Sequence, residues 1–209
     1  MTKIVIGLLS CDKYEARADL CRKTWIKHAK DVDIPVYFLR GGAKEFRQQG
    51  DVLYFPVPTS YETLPQRTRA FAEWFLKNTD ADVAFKADCD SLVIPERLAA
   101  YEHLDKPYFG NEPGGPYVGY CSGGSGYGLS RCAAEIIATY MTTLVGAEDV
   151  WTNRTLRQHG IQPYFEHPRR FISWGADKPD RIPTRSNNII STHQIPTELW
   201  WRVYRDMYG

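Results

Sequence analysis

Residues 83 to 94, VAFKADCDSLVI, constrain this chain more than any other stretch. An apolar run, Val83-Ala84-Phe85, leads to two carboxylates, Asp88 and Asp90, with Cys89 between them. The chain then turns apolar again at Leu92, Val93 and Ile94. This reads as a strand that delivers two acids at its end, with a second strand-like run directly behind it. Two carboxylates so close at a sheet edge repel each other unless a cation lies between them. Hard oxygen ligands suit Mg²⁺ or Mn²⁺, and those ions usually hold substrate phosphates as well. Taken alone, Asp-x-Asp is more often a solvated turn with two surface acids, and the surrounding pattern decides between the readings.

That pattern is an alternation. KIVIGLLS at 3 to 10 is a continuous apolar run rich in branched residues, a buried strand. Ser10 to Tyr14 make a polar loop at its C-terminal end, where open α/β sheets hold their ligands. A helix is expected over 15 to 29, with Leu20, Thr24 and His28 along one side and Arg17 and Arg22 near its first turns. Either arginine reaches a phosphate or an acidic neighbour, or both are solvated. Asp33 to Leu39 form a second strand and DVLYFPV at 51 to 57 a third, closed by prolines. SYETLPQRTRAFAEWFLKNT forms a helix, with Pro65 in the first turn and Phe71, Trp74 and Phe75 at helical spacing. The sequence strand, helix, strand, strand, helix, strand predicts an α/β fold with a mostly parallel, Rossmann-like sheet and helices on both faces.

The second half reads as loop-rich. DKPYFGNEPGGPYVGYCSGGSGYG at 105 to 128 is long for a connection and is expected to order over a bound ligand as a lid or to stand as a rigid scaffold loop. Its Gly123, Gly124, Gly126 and Gly128 allow a backbone to approach a ligand closely, and no Gly-Lys-Ser/Thr follows to make a P-loop. Helices are expected at about 130 to 143 and from Glu148-Asp149-Val150 through His159, a strand from Asn188 to Thr192 ending at His193, and a closing helix in ELWWRVYRDMY. One domain over 1–209 is the economical reading, with its two halves at 1–95 and 96–209.

A net charge of +1 gives no reason to expect nucleic acid or an anionic membrane as partner. No apolar run reaches the roughly 20 residues that span a bilayer, and the N-terminal MTKIVIGLLSC reads as a first strand, not a signal peptide. The 5 cysteines are odd in number and include no C-x-x-C, so free thiols, no disulfide and a cytoplasmic setting are expected.

The motifs, taken together and in order, resemble the β1,3-galactosyltransferase family, glycosyltransferase family 31, with its Fringe-like members. Arg17 with CRKTW resembles that family's R…R-x-T-W, YETLPQRT its Y-x-N-L-T-L-K-T with Arg67 at the lysine, and FKADCD its K-x-D-D-D. YCSGGSGYGLS resembles Y-C-S-G-x-G-Y-V-L-S, and Glu148-Asp149-Val150 its E-D-V. The chain departs from the family at Cys89 in the acidic triplet, in a Gly-rich motif one residue longer, and at Asn153 after E-D-V.

The resemblance implies a single-domain glycosyltransferase A fold, a UDP-sugar donor, Mn²⁺ (or Mg²⁺) as cofactor, inversion at the anomeric carbon and a glycan or glycoconjugate acceptor. Asp90 is the expected direct metal ligand, with Asp88 nearer the ribose or a metal-bound water and His193 as a further ligand. Ser10, Asp12, Arg17, Arg67, Lys86, Asp88, Gly123 and Gly124 are the expected nucleotide-sugar contacts. Asp149 is the expected base, which an inverting transfer needs opposite the leaving group. Glu148 competes for that role, and a helix N-cap is the plainer use of Asp149. The rival functions are a same-fold transferase with another donor or a retaining mechanism, and a non-catalytic nucleotide-sugar-binding module.

Overall fold

The computed structural model of this chain describes residues 2–113, 119–142, 145–165, 170–173 and 188–208. Strand β1 (Ile4–Leu9) is buried along its whole length. Its Ile4, Ile6 and Leu8 enter one hydrophobic cluster, while Val5 and Leu9 enter another on the opposite face. A strand apolar on both sides belongs at the centre of a helix-covered sheet. A 3₁₀ turn (Asp12–Tyr14) leads into α1 (Glu15–Lys23) and α2 (Ile26–Ala29). The single helix expected over 15 to 29 is broken at Thr24, whose ψ of −107° leaves the helical region. Its hydroxyl bonds back to the Leu20 carbonyl at 2.5 Å, a local alternative to continuing the helix.

Strand β2 (Val36–Arg40) follows, then β3 (Arg47–Gln49) and β4 (Val52–Tyr54). β3 is polar and fully exposed, so it carried no apolar signal, and the third strand is shorter than the 51 to 57 expected because Pro56 and Pro58 follow it. The long helix α3 (Leu64–Asn78) buries Phe71, Trp74 and Phe75 with Arg67 and Thr68. Burying each of these aromatic side chains contributes ~2 kcal/mol. Next come β5 (Val83–Asp88), β6 (Leu92–Val93) and α4 (Pro95–Ala99). In the second half β7 (Tyr108–Gly110) and β8 (Tyr127–Ser130) join the main sheet, followed by α5 (Arg131–Tyr140) and α6 (Glu148–Gln158). Short strands β9 (Tyr164–Phe165), β10 (Phe171–Ser173) and β11 (Ser191–His193) precede α7 (Trp200–Tyr208).

Eight strands form one sheet in the order β3-β4-β2-β1-β5-β8-β7-β9. The block β4-β2-β1-β5 is parallel, and β8 runs antiparallel to β5. Side chains of α1, α2, α4 and α7 pack into the cluster on one face, and those of α3, α5 and α6 into the cluster on the other. β1 neighbours both β2 and β5, so the strand order reverses at β1. The crevice beyond the C-terminal ends of β1 and β5 is therefore the place where such sheets bind ligands. A second sheet, β10-β11-β6, stands beside it. Among the described residues no helix is long and apolar enough to cross a membrane.

The expected long loop at 105 to 128 is not one loop. β7 and the first residues of β8 lie in the main sheet, residues 121 to 128 are buried, and 114 to 118 fall outside the described residues. The glycine-rich part is thus interior wall, and the lid reading fails for it.

Candidate active site at the strand crossover

A cleft of about 380 Å³ opens where β1 and β5 end. Ser10, Cys11, Tyr14 and Arg17 line it from the loop and helix after β1, and Asp88, Cys89 and Asp90 from the end of β5. Thr59, Tyr61, Leu64 and Arg67 close it on the α3 side, and His193 and Gln194 on the β11 side. Asp88 reaches this end because the β5 register runs Leu9 opposite Asp88, so both strands stop together.

His193 arrives by a second route. β6 pairs antiparallel with β11, Leu92 opposite Thr192, which brings the residue after Thr192 alongside the acidic loop. Ile195 N–H donating to the Asp90 carbonyl at 3.2 Å fixes that approach. His193 Nε2 lies 3.3 Å from Asp90 Oδ1 and 3.7 Å from Asp88 Oδ2. One ligand atom from each of Asp88, Asp90 and His193 falls within 4.8 Å of the others. Among the described residues neither Asp90 Oδ1 nor His193 Nδ1, both buried, has a hydrogen-bond partner. A buried carboxylate oxygen left in that state fits a divalent cation. Arg17 Nη1 stands 3.4 Å from Asp90 Oδ2. Burial works against an ionised Asp90, but His193 and Arg17 outweigh it and hold the carboxyl below the usual range. The next residue, Gln194, has φ +61°, a left-handed conformation that costs free energy for a non-glycine and is concentrated at functional sites.

Lys86 does something other than contact a nucleotide. It is 1% exposed, and its Nζ donates to Asp88 Oδ1 at 2.9 Å, Glu148 Oε1 at 2.5 Å and the Gly123 carbonyl at 3.1 Å. Burial works against its charge, but the two carboxylates outweigh burial and hold the ammonium above the usual lysine range. Glu148 also accepts from Tyr127 Oη at 2.7 Å and Thr68 Oγ1 at 3.2 Å. Burial pushes its carboxyl up, opposed by the adjacent ammonium. Both Glu148 oxygens are thus engaged and the residue is interior.

Asp149 sits differently. The N-cap of α6 is Ala147, so Asp149 lies inside the first turn and the N-cap reading is corrected. Its Oδ2 accepts the Gly123 N–H at 3.0 Å and its Oδ1 the Val150 N–H at 2.9 Å. Each oxygen keeps a second lone pair. Gly123 and Gly124 face the protein, not the cleft. A Cβ on Gly123 would stand 2.0 Å from Glu148 Oε1, and one on Gly124 2.0 Å from the His193 ring. Their small size lets the site's own side chains close in.

Arg67 lines the cleft while 3% exposed, and its guanidinium bridges the Ser10 carbonyl at 2.9 Å and the Ser60 carbonyl at 3.1 Å. It ties the loop after β1 to the turn before α3. Asp12 points away, accepting from Arg40 Nη1 at 3.0 Å with its side chain 87% exposed. Arg22 is likewise committed to Asp51, Glu15 and Asp19. The cleft residues not singled out in the sequence are Leu9, Cys11, Tyr14, Thr59, Tyr61, Leu64 and Gln194, although Cys11 and Tyr14 fall in the loop expected at the ligand end of β1. Tyr61 opens the YETLPQRT motif and Gln194 adjoins His193, so both were within reach of the same signals.

A glycosyltransferase involved in the glycosylation of the major capsid of PBCV-1 matches this structure with a TM-score of 0.58, covering 99% of this chain and 98% of its own at 13% identity. The chain has a glycosyltransferase A fold. The galactosyltransferase LgtC, solved with donor and acceptor sugar analogues, matches at 0.55 over 98% of this chain and 96% of its own, again at 13% identity. The glycosyltransferase GlyE of Streptococcus pneumoniae TIGR4 matches at 0.56 over 98% of this chain and 60% of its own at 10% identity. No family model matches the sequence, and no curated protein does. The glycosyltransferase A fold thus rests on structure, and the finer resemblance to the β1,3-galactosyltransferases rests on the motif residues.

Proposed function

We propose that this protein is a metal-dependent, inverting glycosyltransferase. It moves a hexose (galactose, N-acetylglucosamine or glucose) from a UDP-sugar to a hydroxyl of a glycan or glycoconjugate. The observation that carries this reading is the convergence of Asp88, Asp90 and His193 at the crossover point of a glycosyltransferase A fold. These three would hold Mn²⁺ or Mg²⁺, which when bound neutralises charge developing on a leaving nucleoside diphosphate. Arg17 offers a cation on the same side of the cleft. The cleft volume of about 380 Å³ suits a ligand of nucleotide-sugar class. Asp149 takes the proton of the acceptor hydroxyl through a free lone pair, and Glu148, consumed by Lys86, Tyr127 and Thr68, is left to support the wall. In this reading residues 1–95 form the nucleotide half and 96–209 most of the acceptor half. All five cysteines are free, which supports a reducing cytoplasmic setting.

Calorimetry of UDP with Mn²⁺ and with EDTA tests the site. UDP affinity is expected to fall at least about tenfold in EDTA, a loss of ~1.4 kcal/mol. Asp90→Asn is expected to reproduce that loss in the presence of Mn²⁺. Equal affinity with and without chelator removes the metal-bridged site. NMR of the product anomer then separates inversion from retention. Tight UDP binding with no donor hydrolysis and no transfer makes the protein a binding module.

A further inference from the structure

Tyr61 is 70% exposed, an unusual state for a large aromatic ring, yet the turn that carries it is held from three directions. Arg67 donates to the Ser60 carbonyl at 3.1 Å from below. Thr63 Oγ1 donates to the Ser60 carbonyl at 2.9 Å and to the Pro58 carbonyl at 3.2 Å from within the turn. The Gly146 N–H donates to the Glu62 carbonyl at 2.7 Å, tying the turn to the segment that leads into Asp149. The ring therefore sits on a fixed backbone at the cleft rim. Among the described residues no ring or cation lies over it. The other exposed tyrosine of the cleft, Tyr14, has its ring covered by the Arg17 guanidinium at 4.8 Å from the centroid. The ring lines the same cleft as Asp88 and Asp90, and its turn is bonded to the segment that leads into Asp149.

A rigid, uncovered aromatic face at the rim of this cleft, on a turn bonded to the segment just before Asp149, suits the apolar face of a pyranose ring. We infer that Tyr61 is the stacking platform for the acceptor's sugar ring, holding its reactive hydroxyl toward Asp149. This rests on the glycosyltransferase reading above and deepens it. It also means that the acceptor site takes its floor from a turn that the sequence assigns to the nucleotide half.

Two measurements on Tyr61→Ala, Tyr61→Phe and wild type separate the outcomes. One is binding to a glycan array of neutral oligosaccharides in the presence of UDP and Mn²⁺. The other is UDP affinity by calorimetry in Mn²⁺. Wild type is expected to bind a subset of the glycans, Tyr61→Ala to lose about tenfold of that binding, and Tyr61→Phe to retain it. UDP affinity is expected to stay within about twofold in all three. Glycan binding by Tyr61→Ala equal to wild type overturns the platform, as does no glycan binding by wild type. A loss in Tyr61→Phe as large as in Tyr61→Ala overturns it in favour of a role for the hydroxyl. A parallel fall in UDP affinity assigns the ring to the donor instead. Failure of wild type to bind UDP at all sinks the glycosyltransferase reading, and the platform with it.

Discussion

Asp149 and Asp90 are both carboxylates, but their neighbours differ and so do the consequences of removing them. Asp90 faces His193 and Arg17 and, among the described residues, has a buried oxygen without a hydrogen bond, which suits the metal-ligand role proposed for it. Asp149 accepts from two backbone N–H groups and keeps a second lone pair on each oxygen. Asp149→Asn is therefore expected to lower transfer roughly 10²–10⁴-fold while leaving UDP and Mn²⁺ affinity nearly unchanged. The amide keeps one acceptor oxygen and loses the other, so stability should drop by about 1 kcal/mol. Initial rates beside calorimetry check this, and near-normal turnover would move the base elsewhere.

Between elements, the decisive joint is the one Lys86 makes. It stands on β5 and reaches Glu148, 62 residues away at the start of α6, while also holding Asp88. It thus sets where the first turn of α6, and hence Asp149, lies relative to the acidic loop. A buried cation between two carboxylates is easily broken from one side. Lys86→Met fills similar space but leaves Glu148 a buried, uncompensated charge and deprives Asp88 of its ammonium partner. The expected cost is about 3–5 kcal/mol of stability, read from urea unfolding. Lys86→Met with Glu148→Gln should recover part of that loss, because one of the stranded charges is gone. A single variant as stable as wild type would show the joint to be dispensable. α3 plays a similar part on the other wall, where Arg67 pins two loops with a planar fork that lysine does not reproduce.

At the scale of the molecule, the five free cysteines report on the core. Cys132 is exposed and Cys11 half-exposed at the cleft, whereas Cys21, Cys89 and Cys121 are buried. Burial pushes the Cys89 thiol up to about 12, and the Cys21 and Cys121 thiols up as well. Thiol-reactive dye is expected to label two cysteines quickly and three only on global unfolding, and UDP with Mn²⁺ should slow the labelling of Cys11. Rapid labelling of Cys89 without denaturant would contradict this packing, and a Cys89 cross-link in unreduced protein would contradict the free thiols. The sequence by itself determined the alternation of strands and helices, the two acids at the end of β5 and the lack of cysteine pairing. Those features are local: an apolar run, a turn residue or a spacing of two is readable within a dozen residues. It missed β3, which is polar throughout, and the helix break at Thr24, which one hydroxyl decides. It named Lys86, Gly123 and Gly124 but not what they touch, since their partners Glu148 and His193 are brought to them by α6 and β11. Only the tertiary structure decided that Glu148 is consumed inside the wall while Asp149, its neighbour in the chain, is left with a lone pair to use. A helix turns by about 100° per residue, so adjacent acids face different surroundings, and those surroundings come from distant parts of the chain.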